Sequence, residues 1–247
     1  MYRSLSKKIF HVIMIVIIVF VILCVAGIFI LRYEVEGESN MPFDIKKITL
    51  VETVEGIETG KAKEKWNFCV NQNNDIYIYI EKNNHYNKTE IIESVKIDNI
   101  KINKISTMGE TKIYKPVAEE KRMFINSVEN ETSEIIYIGD LESNIKEQKI
   151  SNQGGKVAFR YAINSISQYI SENDVEIDHS KLLKLTNIKP EDLKTNLTFD
   201  LTINLKSGKR YQATIPLEIP SDEVIEAGTK GIEITDLQNI IFKRIEN

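Results

Sequence analysis

The longest apolar run in the chain occupies residues 9–31 and contains no charged residue. As an α-helix rising about 1.5 Å per residue it spans roughly 35 Å, and the hydrocarbon core of a bilayer is about 30 Å thick. The weakly polar His11 lies close to the start of the run. The pattern therefore predicts one transmembrane helix over residues 9–31, with the lipid bilayer as its partner.

The charges that flank this run predict its orientation. Basic residues precede it and acidic residues dominate after it: Arg3, Lys7 and Lys8 on one side, and Arg32, Glu34, Glu36 and Glu38 on the other. Because Lys and Arg accumulate on the cytoplasmic side of membrane spans, we expect residues 1–8 to form a cytoplasmic basic tail. Residues 32–42 then form a short spacer, and residues 43–247 form an extracytoplasmic domain at the cell membrane.

Two alternatives to a retained signal anchor are less consistent with the sequence. A cleaved signal peptide has an apolar region of about 7–15 residues, which is shorter than this run. A lipoprotein modified at Cys24 would carry Leu23 where bacterial lipoprotein signals usually have a small residue. We therefore expect a single-pass protein that keeps its anchor.

Beyond residue 43, apolar and polar positions alternate with a period of two, which is typical of β-strands. The alternation is clearest over residues 197–219, where a Lys-Ser-Gly-Lys turn at 206–209 divides the segment. This pattern predicts a half-buried antiparallel hairpin with Leu201 on its inner face and Thr202 on its outer face. Pro216 cannot donate a backbone hydrogen bond, so its strand is expected at a sheet edge.

Other segments predict further short elements. A slip in the alternation at Lys46-Lys47 indicates a β-bulge, and the run IYIYI at 76–80 indicates a central strand. The polar run at 71–75 is typical of a turn. Short helices are expected at 178–185 and 190–194.

Together these elements predict a mainly β fold, with the N-terminal transmembrane helix followed by an antiparallel β-sandwich of immunoglobulin-like or jelly-roll-like type. The sandwich is either one domain or two subdomains divided near residues 145–155.

Composition narrows the functional classes. The chain has 32 basic and 36 acidic residues, interspersed, and a net charge of −4, so no basic patch indicates a nucleic-acid partner. One of its two cysteines, Cys24, lies in the apolar run, which leaves Cys69 without a disulfide partner in the outer domain. Abundant Ile, Lys and Asn with little Ala indicate an AT-rich bacterial genome.

Motifs that carry chemistry are missing. No His-Glu-x-x-His, Cys-x-x-Cys or Gly-x-Ser-x-Gly occurs, and the QGGK run at 153–156 lacks the spacing of a phosphate-binding loop. A calcium-loop spacing begins at Asp140, but Ile145 and Ser151 stand where its glycine and final acid are required. The sequence therefore predicts no catalytic residue, no metal site and no cofactor.

Arg160 is one candidate ligand-binding residue. It lies between Ala158 and Ala162, on the face opposite the apolar side of its strand. Small neighbours leave room for an anion or a carboxylate ligand beside the guanidinium. The alternative is a structural ion pair with an acid of a neighbouring strand.

Aromatic residues are the second candidate. Tyr77 and Tyr79 lie on one face of a strand, and Trp66, Tyr86 and Tyr114 are candidate neighbours. Planar rings on a sandwich face can stack on sugar rings. The alternative is ordinary packing, since β-strands favour tyrosine.

Acidic residues are the third candidate. Glu52, Glu55 and Glu58 are closely spaced and would attract a cation or a basic partner. The alternative, which we favour, is a solvated acidic loop.

Several strings resemble those of a loose set of uncharacterised single-pass membrane proteins of low-GC Gram-positive bacteria. They are Asp75-Ile76-Tyr77-Ile78 with Glu81-Lys82-Asn83, Asn152-Gln153-Gly154-Gly155 with Phe159-Arg160-Tyr161, and Phe199-Asp200. The resemblance implies a similar membrane topology and carries over no functional residues.

The favoured hypothesis is a non-catalytic binding or assembly module at the bacterial cell surface, with another membrane or surface protein as its partner. A cell-wall or surface glycan-binding module is the second hypothesis. The third is an anchored enzyme whose acids converge only in the fold.

Overall fold

A computed structural model describes residues 2–39, 41–62, 65–83, 89–104, 106–119, 121–171 and 177–245. The side chains of residues 2–8, 30–39 and 62 lie outside this description, and with them the predicted basic tail and most of the predicted spacer. Tyr86, one of the aromatic candidates, also lies outside the residues that the structure describes.

The N-terminal part is one continuous helix, α1, over Tyr2–Ser39. Within it, Ile9–Phe29 is apolar and long enough to span a membrane, and none of it is buried against the rest of the chain. The predicted apolar helix is therefore confirmed as a helix of sufficient length.

The remaining described residues are mainly β. The strands are β1 Phe43–Ala62, β2 Lys65–Lys82, β3 Ile92–Lys104, β4 Glu110–Tyr114, β5 Ile135–Asp140, β6 Lys149–Ser151, β7 Gly154–Ile170, β8 Thr195–Leu205, β9 Arg210–Ile219, β10 Thr229–Ile234 and β11 Lys243–Ile245. The helices after α1 are short: α2 Leu182–Leu185, α3 Pro190–Leu193 and α4 Asp222–Ala227.

These strands form two sheets. The first sheet has the order β10-β1-β2-β7-β4, and the second has the order β11-β9-β8-β3-β5-β6. All pairs are antiparallel except β5 with β6, which is parallel, so the expectation of purely antiparallel sheets is wrong at this edge. Each sheet combines strands from before and after residues 145–155.

The two sheets share one apolar core. The rings of Phe159 on β7 and Phe199 on β8 meet edge to face with centroids 5.1 Å apart. The hydroxyl of Tyr137 on β5 donates to the carbonyl of Ala158 on β7 at 2.7 Å and accepts from its N–H at 3.0 Å. Because β4 pairs with β7 only from Arg160 onward, Tyr137 supplies the bonds that a neighbouring strand would otherwise supply at Ala158.

The predicted hairpin at 197–219 is confirmed as β8 and β9, with Leu201 opposite Ala213. Leu201 is fully buried in the core. On the side of β9 away from β8, β11 pairs with residues 210–212. Among the described strands, none pairs with Pro216 on that side. The predicted bulge near Lys47 is also confirmed, as a shift in register between Ile45 and Lys47.

Thr202 lies on the outer face of β8, as predicted, but it is 2% exposed. It is buried because its strand is central, and Gln212 on β9 donates to its hydroxyl at 3.1 Å. The predicted turn at 71–75 is instead the middle of β2, paired with β1 on one side and β7 on the other, and all five of its residues are buried.

Candidate functional site: a polar cleft on the first sheet

The buried polar run of β2 presents its side chains to both faces of the first sheet. Successive side chains of a strand alternate between faces. Asn71, Asn73 and Asp75 therefore point to the outer face, away from the core, while Gln72 and Asn74 point to the inner face together with Ile76. Five adjacent polar residues are buried here because each finds hydrogen-bonding partners on neighbouring elements.

An ion pair forms the floor of the outer face. Arg160 on β7 lies directly opposite Asp75 in the sheet register. Its Nε and Nη2 donate to the two carboxylate oxygens of Asp75 at 2.6 and 3.0 Å. The side chains are 11% and 12% exposed. Burial raises the pKa of Asp75 from its ordinary value, and the hydrogen bonds and charge of Arg160 oppose that rise.

A segment that we call the strap, residues 121–127, crosses this face after β4. Its Phe124 is almost fully buried, with the Arg160 guanidinium 5.0 Å from the ring centroid. Its Asn126 accepts from Arg160 Nη1 at 3.0 Å and donates to the amide oxygens of Asn73 at 2.8 Å and Asn164 at 3.1 Å. These contacts fix the strap over the ion pair.

Between the strap and β1 lies a cleft of about 480 Å³. Its lining is mixed polar and apolar: Thr53, Val54, Glu55 and Ile57 of β1; Asn73 and Asp75 of β2; Arg122, Met123, Phe124, Ile125 and Asn126 of the strap; and Arg160 of β7. Asn73 donates to Glu55 Oε2 at 3.2 Å, which orients that carboxylate. Arg122 is exposed, so the cleft carries charges of both signs.

Among the residues singled out from the sequence, Arg160 lies in the cleft. Its guanidinium is held by Asp75 and Asn126, which corresponds to the structural ion pair given above as the alternative. The guanidinium therefore shapes the site, and the groups most open to a ligand are its neighbours on β1 and the strap.

The aromatic candidates lie elsewhere. Tyr77 and Tyr79 share the outer face with Asp75 but do not line the cleft. Burial raises the pKa of Tyr77 to about 12, and the ring of Tyr79 has the ammonium groups of Lys47 and Lys156 at 4.9 and 5.6 Å. Trp66 lies on the opposite face near the far end of β2, roughly 35 Å along the strand from Tyr77 at about 3.3 Å per residue. The structure does not bring the three rings together.

The three acidic candidates lie in a strand and do not form one surface. Glu52, Glu55 and Glu58 lie in β1, so the expectation of a solvated loop is wrong. Glu55 lines the cleft, Glu58 is exposed, and Glu52 is fully buried on the inner face. Strand alternation separates Glu52 from Glu55, because residues three apart point to opposite faces.

Sequence reasoning missed most of the cleft. The run at 71–75 has the composition of a turn, and only its pairing with two other strands shows that it is a buried strand. Nothing in the local sequence of the strap indicates that Phe124 and Asn126 cover Arg160. Arg160 gives a partial indication of the site, because it is an arginine between two alanines on a largely apolar strand.

The groups that line the cleft are hydrogen-bonding groups. Across the described ranges, no three His, Cys, Asp or Glu side chains are placed to hold a metal ion. Both oxygens of Asp75 are bonded to Arg160, so Glu55 is the carboxylate in the lining with an oxygen available to a ligand. This carboxylate, the Thr53 hydroxyl and the Arg122 guanidinium can hydrogen-bond a polar ligand.

A second cleft of similar size, about 470 Å³, lies between β3, β4 and residues 131–134, and it is lined by Asp98, Lys112 and Glu131 among others. The acids that line it are paired with lysines: Glu131 with Lys112, and Asp98 and Glu134 with Lys96.

Comparisons with known proteins add no functional assignment: no family model, no curated protein and no solved structure matches this chain. The site is therefore interpreted from its geometry.

Proposed function

We propose that the chain is a single-pass membrane protein with a cytoplasmic N-terminus, and that its outer domain is a non-catalytic binding module at the cell surface. The two sheets with a shared core are consistent with a β-sandwich of immunoglobulin-like or jelly-roll-like type. The apolar length of α1 and the basic residues before it support the topology.

The observation that carries the proposal is the cleft beneath the strap. Its floor is fixed by the Arg160–Asp75 pair and by Asn126, so the binding surface exists before a ligand arrives. A preformed site avoids the free-energy cost of ordering loops on binding. Its volume of about 480 Å³ lies within the range of small-molecule sites, which is about 300–1,000 Å³.

Among ligand classes, the lining favours a polyhydroxylated one. Glu55 contributes a carboxylate, Thr53 a hydroxyl and Arg122 an exposed guanidinium, all of which can hydrogen-bond sugar hydroxyls. Asn73 orients Glu55 through its own hydrogen bond. A wall or surface glycan is therefore the preferred ligand, and a protein partner is the second candidate. The polar lining of the cleft supports a glycan ligand, whereas Tyr77, Tyr79 and Trp66 do not line the cleft and give no support.

Photo-crosslinking in intact cells tests this without choosing the ligand in advance. A photoreactive amino acid replaces Arg122 at the cleft rim, or Val128, which is 87% exposed and does not line the cleft. We expect an adduct from position 122 and none from position 128. Loss of the added mass on treatment with a glycan hydrolase would identify a glycan, and mass spectrometry of the cross-linked peptides would identify a protein.

A matched pair of variants ties the adduct to the cleft. Thr53→Trp fills the cleft, whereas Thr49→Trp places the same bulk on the same face of β1 outside it. We expect Thr53→Trp to lower the adduct yield at least tenfold and Thr49→Trp to leave it unchanged. Equal adducts from positions 122 and 128, or an adduct insensitive to Thr53→Trp, would show that the cleft is not the binding site.

A further inference from the structure

A fully buried carboxyl group lies on the inner face of the strands that form the cleft. Glu52 on β1 is 0% exposed and lies opposite Asn74 of β2 and Lys230 of β10. A buried ionised carboxylate is stable only when it is well paired or well hydrogen-bonded. The surroundings of Glu52 therefore determine its charge.

One serine connects Glu52 to the neighbouring strand. The hydroxyl of Ser221 donates to Glu52 Oε1 at 3.2 Å and accepts from Gln72 Nε2 at 3.2 Å. Ser221 precedes α4 with a positive φ of 60°, and its side chain does not cap the helix. Its hydroxyl instead attaches the start of α4 to β1 and β2.

The orientation of the Gln72 amide is fixed by its neighbours. Asn74 donates through Nδ2 to the carbonyl of Tyr161 at 3.3 Å, so its Oδ1 is turned toward Gln72 Nε2, also at 3.3 Å. Exchanging the oxygen and nitrogen of Gln72 would place two amide oxygens against each other. Gln72 Oε1 therefore has no donor, and the same holds for Glu52 Oε2.

Gln72 Oε1 and Glu52 Oε2 are both buried acceptors without a donor, and the Ser221 hydroxyl contacts both side chains. One hydrogen atom shared between the two oxygens would give each of them a partner. Glu52 and Gln72 are diagonal neighbours on the inner face of adjacent strands, within reach of long side chains. We propose that Glu52 is a neutral carboxylic acid in the folded domain, that it donates its proton to Gln72 Oε1, and that this bond is a pH-sensitive latch between β1 and β2.

The charged groups around Glu52 are consistent with a neutral acid. Burial is the main factor that raises the pKa of Glu52, and Asp222 at the start of α4 raises it further. The hydrogen bonds from Ser221 and the charge of Lys230 lower it. Lys230, however, forms an ion pair with Glu223. Of the residues on β2 and β7 that face Glu52, Gln72 and Asn74 carry no charge and the Tyr161 hydroxyl is bonded to Thr195.

Ionisation of Glu52 would affect the cleft on the other face of β2. Gln72 and Asn74 alternate along β2 with Asn73 and Asp75, which line the cleft. Loss of the proton breaks the bond from Glu52 to Gln72 and leaves the Gln72 oxygen facing a carboxylate. This repulsion disturbs the strand that forms the cleft floor.

Thermal unfolding of the full-length protein in nanodiscs tests the latch, with Glu52→Gln as the test variant and Glu58→Gln, an exposed position on the same strand, as control. The folded-state pKa of Glu52 is raised above the ordinary value of 4.5, so the stabilisation by the protonated group is fully present below pH 4.5. It is lost as the pH rises from 4.5 to the folded-state pKa. Within that window, the folding constant of the wild type should fall about tenfold per pH unit relative to Glu52→Gln. Glu58→Gln should follow the wild type.

A second measurement on the unmodified chain covers the case in which Glu52→Gln does not fold. With carbon-13 in the glutamate carboxyl groups, we expect one resonance to remain in the protonated position at pH values above 4.5. Parallel stability curves for the wild type and Glu52→Gln, or titration of every glutamate at or below the ordinary value, would contradict the proposal. Either result would indicate that Glu52 is ionised in the folded domain.

Discussion

Removing either partner of the Arg160–Asp75 pair should destabilise the domain, and the two variants should differ in their pH dependence. Arg160→Met leaves a carboxylate without its cation, and Asp75→Asn leaves a guanidinium without its anion. Both side chains are nearly buried, at 11% and 12% exposure, so solvent screens the remaining charge poorly. Breaking a buried pair in this way typically costs about 3–5 kcal/mol.

The pH dependence separates the two variants because only one of the remaining charges can be neutralised. Burial raises the pKa of Asp75 above its ordinary value of 3.8, and Arg160→Met removes the cation that opposes this. The folded Arg160→Met variant then binds a proton more tightly than its unfolded chain. Its free energy of unfolding should therefore be highest in acid and fall as the pH rises. Asp75→Asn has no carboxyl group to titrate at this position and arginine stays protonated, so the free energy of unfolding of this variant should show no such fall between about pH 5 and 8.

Urea unfolding of the full-length protein in nanodiscs, followed by the fluorescence of Trp66, measures both effects. Glu226→Gln is the control, because the Lys184–Glu226 pair is 62% and 67% exposed and should contribute less than about 1 kcal/mol. If Asp75→Asn and Arg160→Met each cost no more than the control, the pair does not hold the floor of the cleft. Identical pH profiles for the two variants would refute the assignment of the titrating group.

Two further predictions concern the core and are measured by the same urea unfolding. Leu201→Ala should cost about 2–5 kcal/mol because it leaves a cavity between the sheets. Thr202→Ala should cost about 0.5–1.5 kcal/mol because it removes only the hydrogen bond from Gln212. A larger loss for Thr202→Ala than for Leu201→Ala would contradict the register of β8. Tyr137→Phe should cost about 1–3 kcal/mol, since both the N–H and the carbonyl of Ala158 lose their partner, and a neutral substitution would show that water replaces the hydroxyl.

The sequence predicts those parts of the fold that depend on local pattern. The hairpin of β8 and β9 is readable because its apolar residues alternate strictly and its turn contains Gly208. The same rule assigns Thr202 to the outer face but says nothing about the side chains that cover it. Burial by neighbouring strands is a long-range property, which alternation alone does not report.

The candidate site depends on contacts between residues far apart in the chain. Asn73 is a turn former by composition, yet it is buried because Glu55 and Asn126 provide partners from β1 and the strap. The ion pair joins Asp75 and Arg160, which are 85 positions apart. No periodicity in the sequence encodes such a pairing, so the sequence indicated Arg160 but not the cleft.

The proposed surface function requires the anchored topology, and labelling with a membrane-impermeant maleimide tests that topology. In a chain that carries Cys24→Ser and Cys69→Ser, one cysteine is introduced either by Val128→Cys in the outer domain or by Ser4→Cys in the N-terminal tail. We predict that Val128→Cys is labelled in intact cells and that Ser4→Cys is labelled only after the membrane is permeabilised. Labelling of Ser4→Cys in intact cells, with protection of Val128→Cys until lysis, would reverse the orientation and contradict a surface binding module.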